Sequence, residues 1–170
     1  MKNFAKASLC AFTALSLLPA TAHAGTYSPS GVGGVTATTV EVKKGMTLSC
    51  VLNAATNSDG TISTTGTPVA PPAGTRITSL TIAGPLCNLV SFTGLPYYIK
   101  ATNSTDVEFI DVRVTGITGN CRGNLKAKLV SGVLQFTHTN STIASDPPGG
   151  TPCSIQGNVP TSPTASYTYP

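Results

Sequence analysis

Beyond residue 24 the chain never sustains a helical spacing of apolar side chains. Short runs rich in Val, Ile, Thr, Leu and Tyr recur instead between clusters of Gly, Pro, Asn and Ser. That pattern restricts the fold to strands joined by turns, an all-β protein. In segment 47–54, Leu48, Cys50, Leu52 and Ala54 share one face while Thr47, Ser49, Val51 and Asn53 share the other, as in a half-buried strand. Comparable segments lie at 35–42, 61–65, 76–83, 86–93, 97–102, 107–115, 124–130, 133–139, 153–159 and 165–169. The apolar phase slips within 107–115, where Val107 and Phe109 alternate out of step with Ile110, Val112 and Val114; a β-bulge near Phe109 and Ile110 reconciles them. Ser131-Gly132 reads as a tight hairpin turn and Asn57-Ser58-Asp59-Gly60 as another meander connection. The proline-rich stretches 66–74 and 145–152 read as surface loops. Regular turn spacing favours an antiparallel β-sandwich, or a barrel-like sandwich, of about nine to eleven short strands.

The first residues carry a different signal. Lys2 and Lys6 precede an uncharged run from Ala7 to Leu18, then Pro19 and Ala22-His23-Ala24, the three-part pattern of a secretory leader. Spanning a bilayer takes about twenty apolar residues, more than this run supplies. Residues 1–24 are therefore expected to be a signal peptide and 25–170 a single secreted β domain with no transmembrane anchor after cleavage. Cys10 follows the bulky Leu9 and falls too early for a lipid-modified cysteine.

Four cysteines remain beyond the leader: Cys50, Cys87, Cys121 and Cys153. An even number in an exported chain points to two disulfides. Three connectivities are open; Cys50 with Cys87 and Cys121 with Cys153 is preferred because each bond then staples its own half. There is no C-x-x-C pair, and His138 is the single histidine after the leader, a poor start for a zinc site. No cofactor is expected. Eight cations face six acids once the leader is gone, scattered and without interleaved aromatics, so nucleic acid is not an expected partner.

Catalytic arrangements are thin. His138 ends a strand beside Thr137 and Thr139 without a nucleophile elbow. Asp106, Glu108 and Asp111 form an acidic cluster that Arg113 partly neutralises, and Asn53, Asn57 and Asp59 do not match a calcium loop. These groups read as solvated surface and turn residues, and the chain is not expected to be an enzyme. Leu95, Tyr97, Tyr98, Tyr167 and Tyr169 are the candidate apolar and aromatic contacts, with one of Tyr97 and Tyr98 pointing inward and the other outward.

Several short runs follow in a characteristic order. They are Leu48-Ser49-Cys50, Cys87-Asn88-Leu89, Thr93-Gly94-Leu95-Pro96-Tyr97, Gly119-Asn120-Cys121 with Gly123-Asn124-Leu125, Pro152-Cys153-Ser154-Ile155-Gln156-Gly157, and Ser162-Pro163. Together they resemble the PraB-type activators of alkane oxidation of proteobacteria, from about Leu48 to Pro163. Members often carry Trp after Leu-Pro; Tyr97 stands there in this chain. The resemblance implies a non-enzymatic accessory protein, periplasmic or extracellular in a Gram-negative bacterium. It would promote growth on long-chain hydrocarbons by interfacial action or by binding an apolar small molecule. The alternative is a structural or adhesive surface subunit that self-associates through a terminal strand contributed by residues 25–34 or 162–170.

Overall fold

The computed structural model describes residues 24–65 and 73–170. The expected leader lies outside the described residues apart from Ala24, as does most of the proline-rich stretch 66–74. Each of the eleven expected segments contains a strand, and three further short strands, β1, β11 and β12, were not foreseen. The strands are β1 (Ala24–Ser28), β2 (Gly31–Lys44), β3 (Met46–Ser58), β4 (Thr61–Ser63), β5 (Arg76–Ala83), β6 (Val90–Thr93) and β7 (Tyr97–Ala101). They continue as β8 (Asp106–Gly116), β9 (Asn120–Val130), β10 (Val133–Phe136), β11 (Thr142–Ile143), β12 (Ser145–Asp146), β13 (Cys153–Ser162) and β14 (Ser166–Thr168).

Eight of them close on themselves. The ladder runs β7, β5, β3, β2, β13, β10, β9, β8 and returns to β7, with every neighbouring pair antiparallel. The barrel-like reading is therefore the one adopted. At the closing pair, Ile99 faces Phe109 and Ala101 faces Val107, all four buried. Between them Lys100 and Glu108 point outward as an ion pair at 3.1 Å. Period-two alternation thus supplies the interior and the exterior of the same wall. Closure leaves the ring strands few open edges to aggregate through.

The slip in β8 is real: its register against β9 shifts between Phe109 and Val112, and Asp111 takes a positive φ of 50° there. The extra residue brings Val112 and Val114 onto the face of Val107 and Phe109. Ser131 and Gly132 both have positive φ, the pair of values a two-residue hairpin of primed type needs. Inside, Phe109 stacks on Phe136 with ring centroids 6.0 Å apart.

Two local expectations are corrected. Segment 86–93 is not one strand: Leu86 turns at φ 64° and Cys87–Leu89 form a short 3-10 turn before β6 begins. The Asn57 to Gly60 turn does not return the chain as a meander. β4 leaves β3 and pairs with β1, because the Asp59 carboxylate accepts hydrogen bonds from Thr61 N, Thr61 Oγ1 and Gly74 N and holds the chain in its new direction.

One end of the barrel is covered by the chain termini. β1 pairs with both β4 and β14, and β4 joins β7 through the parallel pair Ser63 and Lys100. Ile62 is fully buried there, and Tyr27 faces the interior beside Ile99, Val107 and Leu129. The hydroxyl of Tyr167 in β14 donates to the Asn103 and Asp106 carbonyls, at 2.8 and 3.2 Å, across the β7 to β8 loop. Neither terminal segment is free: both pair within this chain.

Candidate functional site

The opposite end is open. Its rim is built from the β2 to β3 turn at Gly45, the segment 84–89 between β5 and β6, and the β8 to β9 turn at 117–119. Inside this rim lies a cavity of about 80 Å³ that opens to solvent. Its walls are largely aliphatic: Val42, Leu48, Val90, Val114, Leu125 and Ile143, with Phe92 and Ile155 at the bottom. Three large apolar side chains on the rim face water, Met46 at 44%, Leu86 at 52% and Ile117 at 63% of full exposure. Each exposed apolar surface forgoes about 25 cal/mol per Å². Three such residues from three separate turns, ringing one cleft, form a candidate surface for an apolar contact.

Both disulfides sit at this end, in the preferred pairing. Cys50–Cys87 ties the 84–89 segment to β3, and Cys121–Cys153 ties β9 to β13, where Cys153 itself lines the cleft. Gly84 makes the first bond's close approach workable: a Cβ there would come within 3.2 Å of both Cys87 Sγ and the Ser49 carbonyl, at a φ of 133°. Lys44 straps the third side. Its ammonium donates to the carbonyls of Asn120 at 2.9 Å and Thr151 at 3.0 Å and to Ser145 Oγ at 3.3 Å. The cation's donors are thus turned to the 145–151 loop and the β8 to β9 turn, leaving the cleft apolar.

The tyrosines do not build this site. Tyr97 is 1% exposed, its hydroxyl within hydrogen-bond distance of the Thr93 carbonyl (2.6 Å) and the Arg113 carbonyl (3.0 Å), and burial raises its pKa. As the expected inward member of its pair, it is a core side chain and offers no surface contact. Tyr98 is half-buried on the other face of β7, and its hydroxyl is buried without a partner. Leu95 packs against the core from the β6 to β7 turn. Tyr167 belongs to the covered end, where desolvation, with a smaller push from Asp106, raises its pKa to about 12. Tyr169 is exposed beyond β14. The sequence signal that could have found the true rim was different: apolar Met46 and Ile117 stand in glycine-bearing turns, where polar residues are the rule.

The polar candidates are accounted for on the outer wall. His138 lies with Nδ1 2.9 Å from Ser154 Oγ and Nε2 3.5 Å from Glu41 Oε2. This bridge joins β2 to β13 on the face opposite the inward-turned Val40, Val42 and Ile155. Asp111 accepts from Arg122 at 2.6 Å and Arg113 at 2.6 Å, which together hold its carboxyl down at about 2. Asp59 is committed to Thr61 and Gly74, and the Thr61 hydroxyl in particular lowers its pKa. Among the described residues no three His, Cys, Asp or Glu side chains gather as a cation site.

The open end thus presents an apolar, solvent-open cleft held by two disulfides. Nearly the whole chain, residues 1–169, matches the family described as alkane oxidation protein activator PraA/PraB-like. This chain belongs to that family. No curated protein and no solved structure matches it. For the PraA/PraB-like family the architecture is thus, in this member, a closed eight-stranded barrel with one covered and one open end.

Proposed function

We propose that the protein is an exported, non-catalytic accessory factor that promotes use of long-chain hydrocarbons by taking an apolar chain into the open end of its barrel. The observation that carries this reading is the aliphatic cleft with its exposed apolar rim. Eight-stranded barrels have an interior wide enough either to be filled by side chains or to hold one small ligand. In this barrel the unfilled space shrinks from about 80 Å³ at the mouth to about 20 Å³ at the covered end. The family's description as alkane oxidation activators supports hydrocarbons as the class of compound, and the two disulfides fit an oxidising compartment outside the cytoplasm.

The test is saturable binding of the fluorophore N-phenylnaphthylamine to the purified protein, followed by displacement with hexadecane. Binding that hexadecane reverses, and that Leu48→Asp abolishes, is the expected result. Fluorescence that never saturates, or that Leu48→Asp leaves unchanged, overturns the reading.

A second reading, action at the boundary between hydrocarbon and water, draws on the rim alone. Met46, Leu86 and Ile117 would meet an oil surface together without any chain entering the cleft. Surface tension and hexadecane emulsification separate the two. Under the second reading the protein lowers surface tension without binding the fluorophore saturably, and Ile117→Asp removes that surface effect.

A further inference from the structure

Behind the mouth lies a second apolar cavity, of about 50 Å³, among Leu52, Leu80, Tyr97, Phe109, Val112 and Phe136. The two spaces share three wall residues, Phe92, Leu125 and Ile155, which stand between them as a partition. These three are not held alike. Ile155 lies in β13, opposite Val42 of β2, and its N–H donates to the Ser141 carbonyl. Leu125 lies in β9 opposite Phe109. Phe92 lies in the four-residue β6, which is laddered to β8 on one side only. On its other side runs β5, whose ladder to the neighbouring β7 covers Arg76 and Ile77 and stops there. Between the rest of β5 and β6 the wall is therefore a seam closed by side chains rather than by hydrogen bonds. Phe92 is the half-buried residue beside that seam.

We infer that Phe92 sets how far an unbranched apolar chain enters the barrel, by closing the inner space from the mouth until the residue is moved or removed. The inference rests on the ligand-binding reading above and adds to it the shape of the ligand and a length limit. A chain that lengthens inside an apolar cleft gains roughly fourfold in affinity for each methylene taken out of water. Methylenes that cannot pass the partition stay outside and add nothing. Affinity along a homologous series accordingly rises and then levels off, and the chain length at the break measures the depth of the site. Taking away the Phe92 ring joins the two spaces, so the break moves to longer chains. Branching near the tail hinders passage between Leu125 and Ile155 and lowers affinity in Phe92→Ala, where the passage is open.

The experiment is displacement of bound N-phenylnaphthylamine by the straight-chain alcohols from octanol to octadecanol, with the wild type and Phe92→Ala side by side. The wild type levels off within the series. Phe92→Ala goes on gaining, so that its affinity for octadecanol relative to octanol exceeds the wild type's ratio about tenfold. A break at the same chain length in both, with Phe92→Ala unfolding cooperatively and still binding the fluorophore, overturns the inference and leaves the ligand-binding reading standing. Absence of fluorophore binding by the wild type overturns both. If Phe92→Ala does not fold, Phe92→Leu replaces it: the slimmer side chain moves the break in the same direction by a smaller step, and an unmoved break is again decisive. Val32→Ser, at an 80% exposed position on β2 opposite Asn57, controls for a general change in surface apolarity.

Discussion

The two ends of this barrel are made of the same inward aliphatic side chains and are finished in opposite ways. At the covered end, Ile62, Tyr27 and Ala165 fill the interior, and hydrogen bonds from β1, β4 and β14 lie across it. At the open end the space between the walls is unfilled, and two disulfides with the Lys44 strap take the place of packing. A side chain beside a void has no atoms to touch on that side and loses the dispersion contacts that hold a core together. A cleft that must stay open therefore needs another source of rigidity. Covalent staples provide it without filling the space, because they act by restricting the unfolded chain as well as by holding the native wall.

Breaking a staple is the severest way to test this contrast. Cys50→Ala with Cys87→Ala frees a 37-residue loop and is expected to cost about 2–5 kcal/mol in urea unfolding. Fluorophore binding at the mouth falls as well, since the 84–89 rim is no longer tied to β3. Equal loss of stability with undiminished binding would show that the bond does not shape the cleft.

The two ends also predict opposite outcomes for one kind of truncation. Ile62→Ala removes packing at a filled site and costs about 2–4 kcal/mol with the mouth's affinity unchanged. Leu48→Ala, at the wall of an unfilled site, costs less than about 1.5 kcal/mol, yet weakens fluorophore binding severalfold. Paired chemical denaturation and titration read both quantities. Similar stability losses at the two positions would erase the distinction drawn between the ends.

A smaller effect probes the hydrogen bonds across the covered end. Tyr167→Phe removes the donor to Asn103 and Asp106 and is expected to cost about 0.5–1.5 kcal/mol, leaving binding unaltered. In the wild type this phenol ionises near pH 12 rather than 10, which ultraviolet titration detects.

The smallest expected effect comes from Asp111, outside the contrast. Its folded carboxyl ionises at about 2, below the ordinary 3.8, chiefly through the Arg122 hydrogen bond and then that of Arg113. A depressed acid stabilises the fold above its unfolded value, and the gain disappears as pH falls through about 2. Since the side chain is 42% exposed, Asp111→Asn lowers stability by less than about 1 kcal/mol at neutral pH. The difference from the wild type should close between pH 4 and pH 2.

The walls of this molecule were legible in its sequence because alternation is a local property. Leu48, Cys50, Leu52 and Ala54 face inward as their spacing requires, and the slip at Phe109 surfaces as a shifted register. The favoured disulfide pairing is also the one adopted. What alternation cannot encode is order around a ring. The β2 to β13 ladder joins residues more than a hundred positions apart, and the closing β7 to β8 pair decides between barrel and sandwich. The site was hidden for the same reason. Val42 and Leu48 face each other across one hairpin, whereas Val114 and Ile143 come from distant segments, and each looks like an ordinary core residue by itself. The tyrosines drew the eye because aromatic rings are conspicuous in a sequence, but Tyr97 is placed where its ring is swallowed by the core.

The placement of both disulfides at the mouth also ties that end to its surroundings. Disulfides are rare in reducing surroundings, so the open end of the barrel, which both bonds hold, is stapled only where conditions are oxidising. The covered end depends on no such event. The two ends thus differ in what completes them: packing and hydrogen bonds at one, an oxidation at the other.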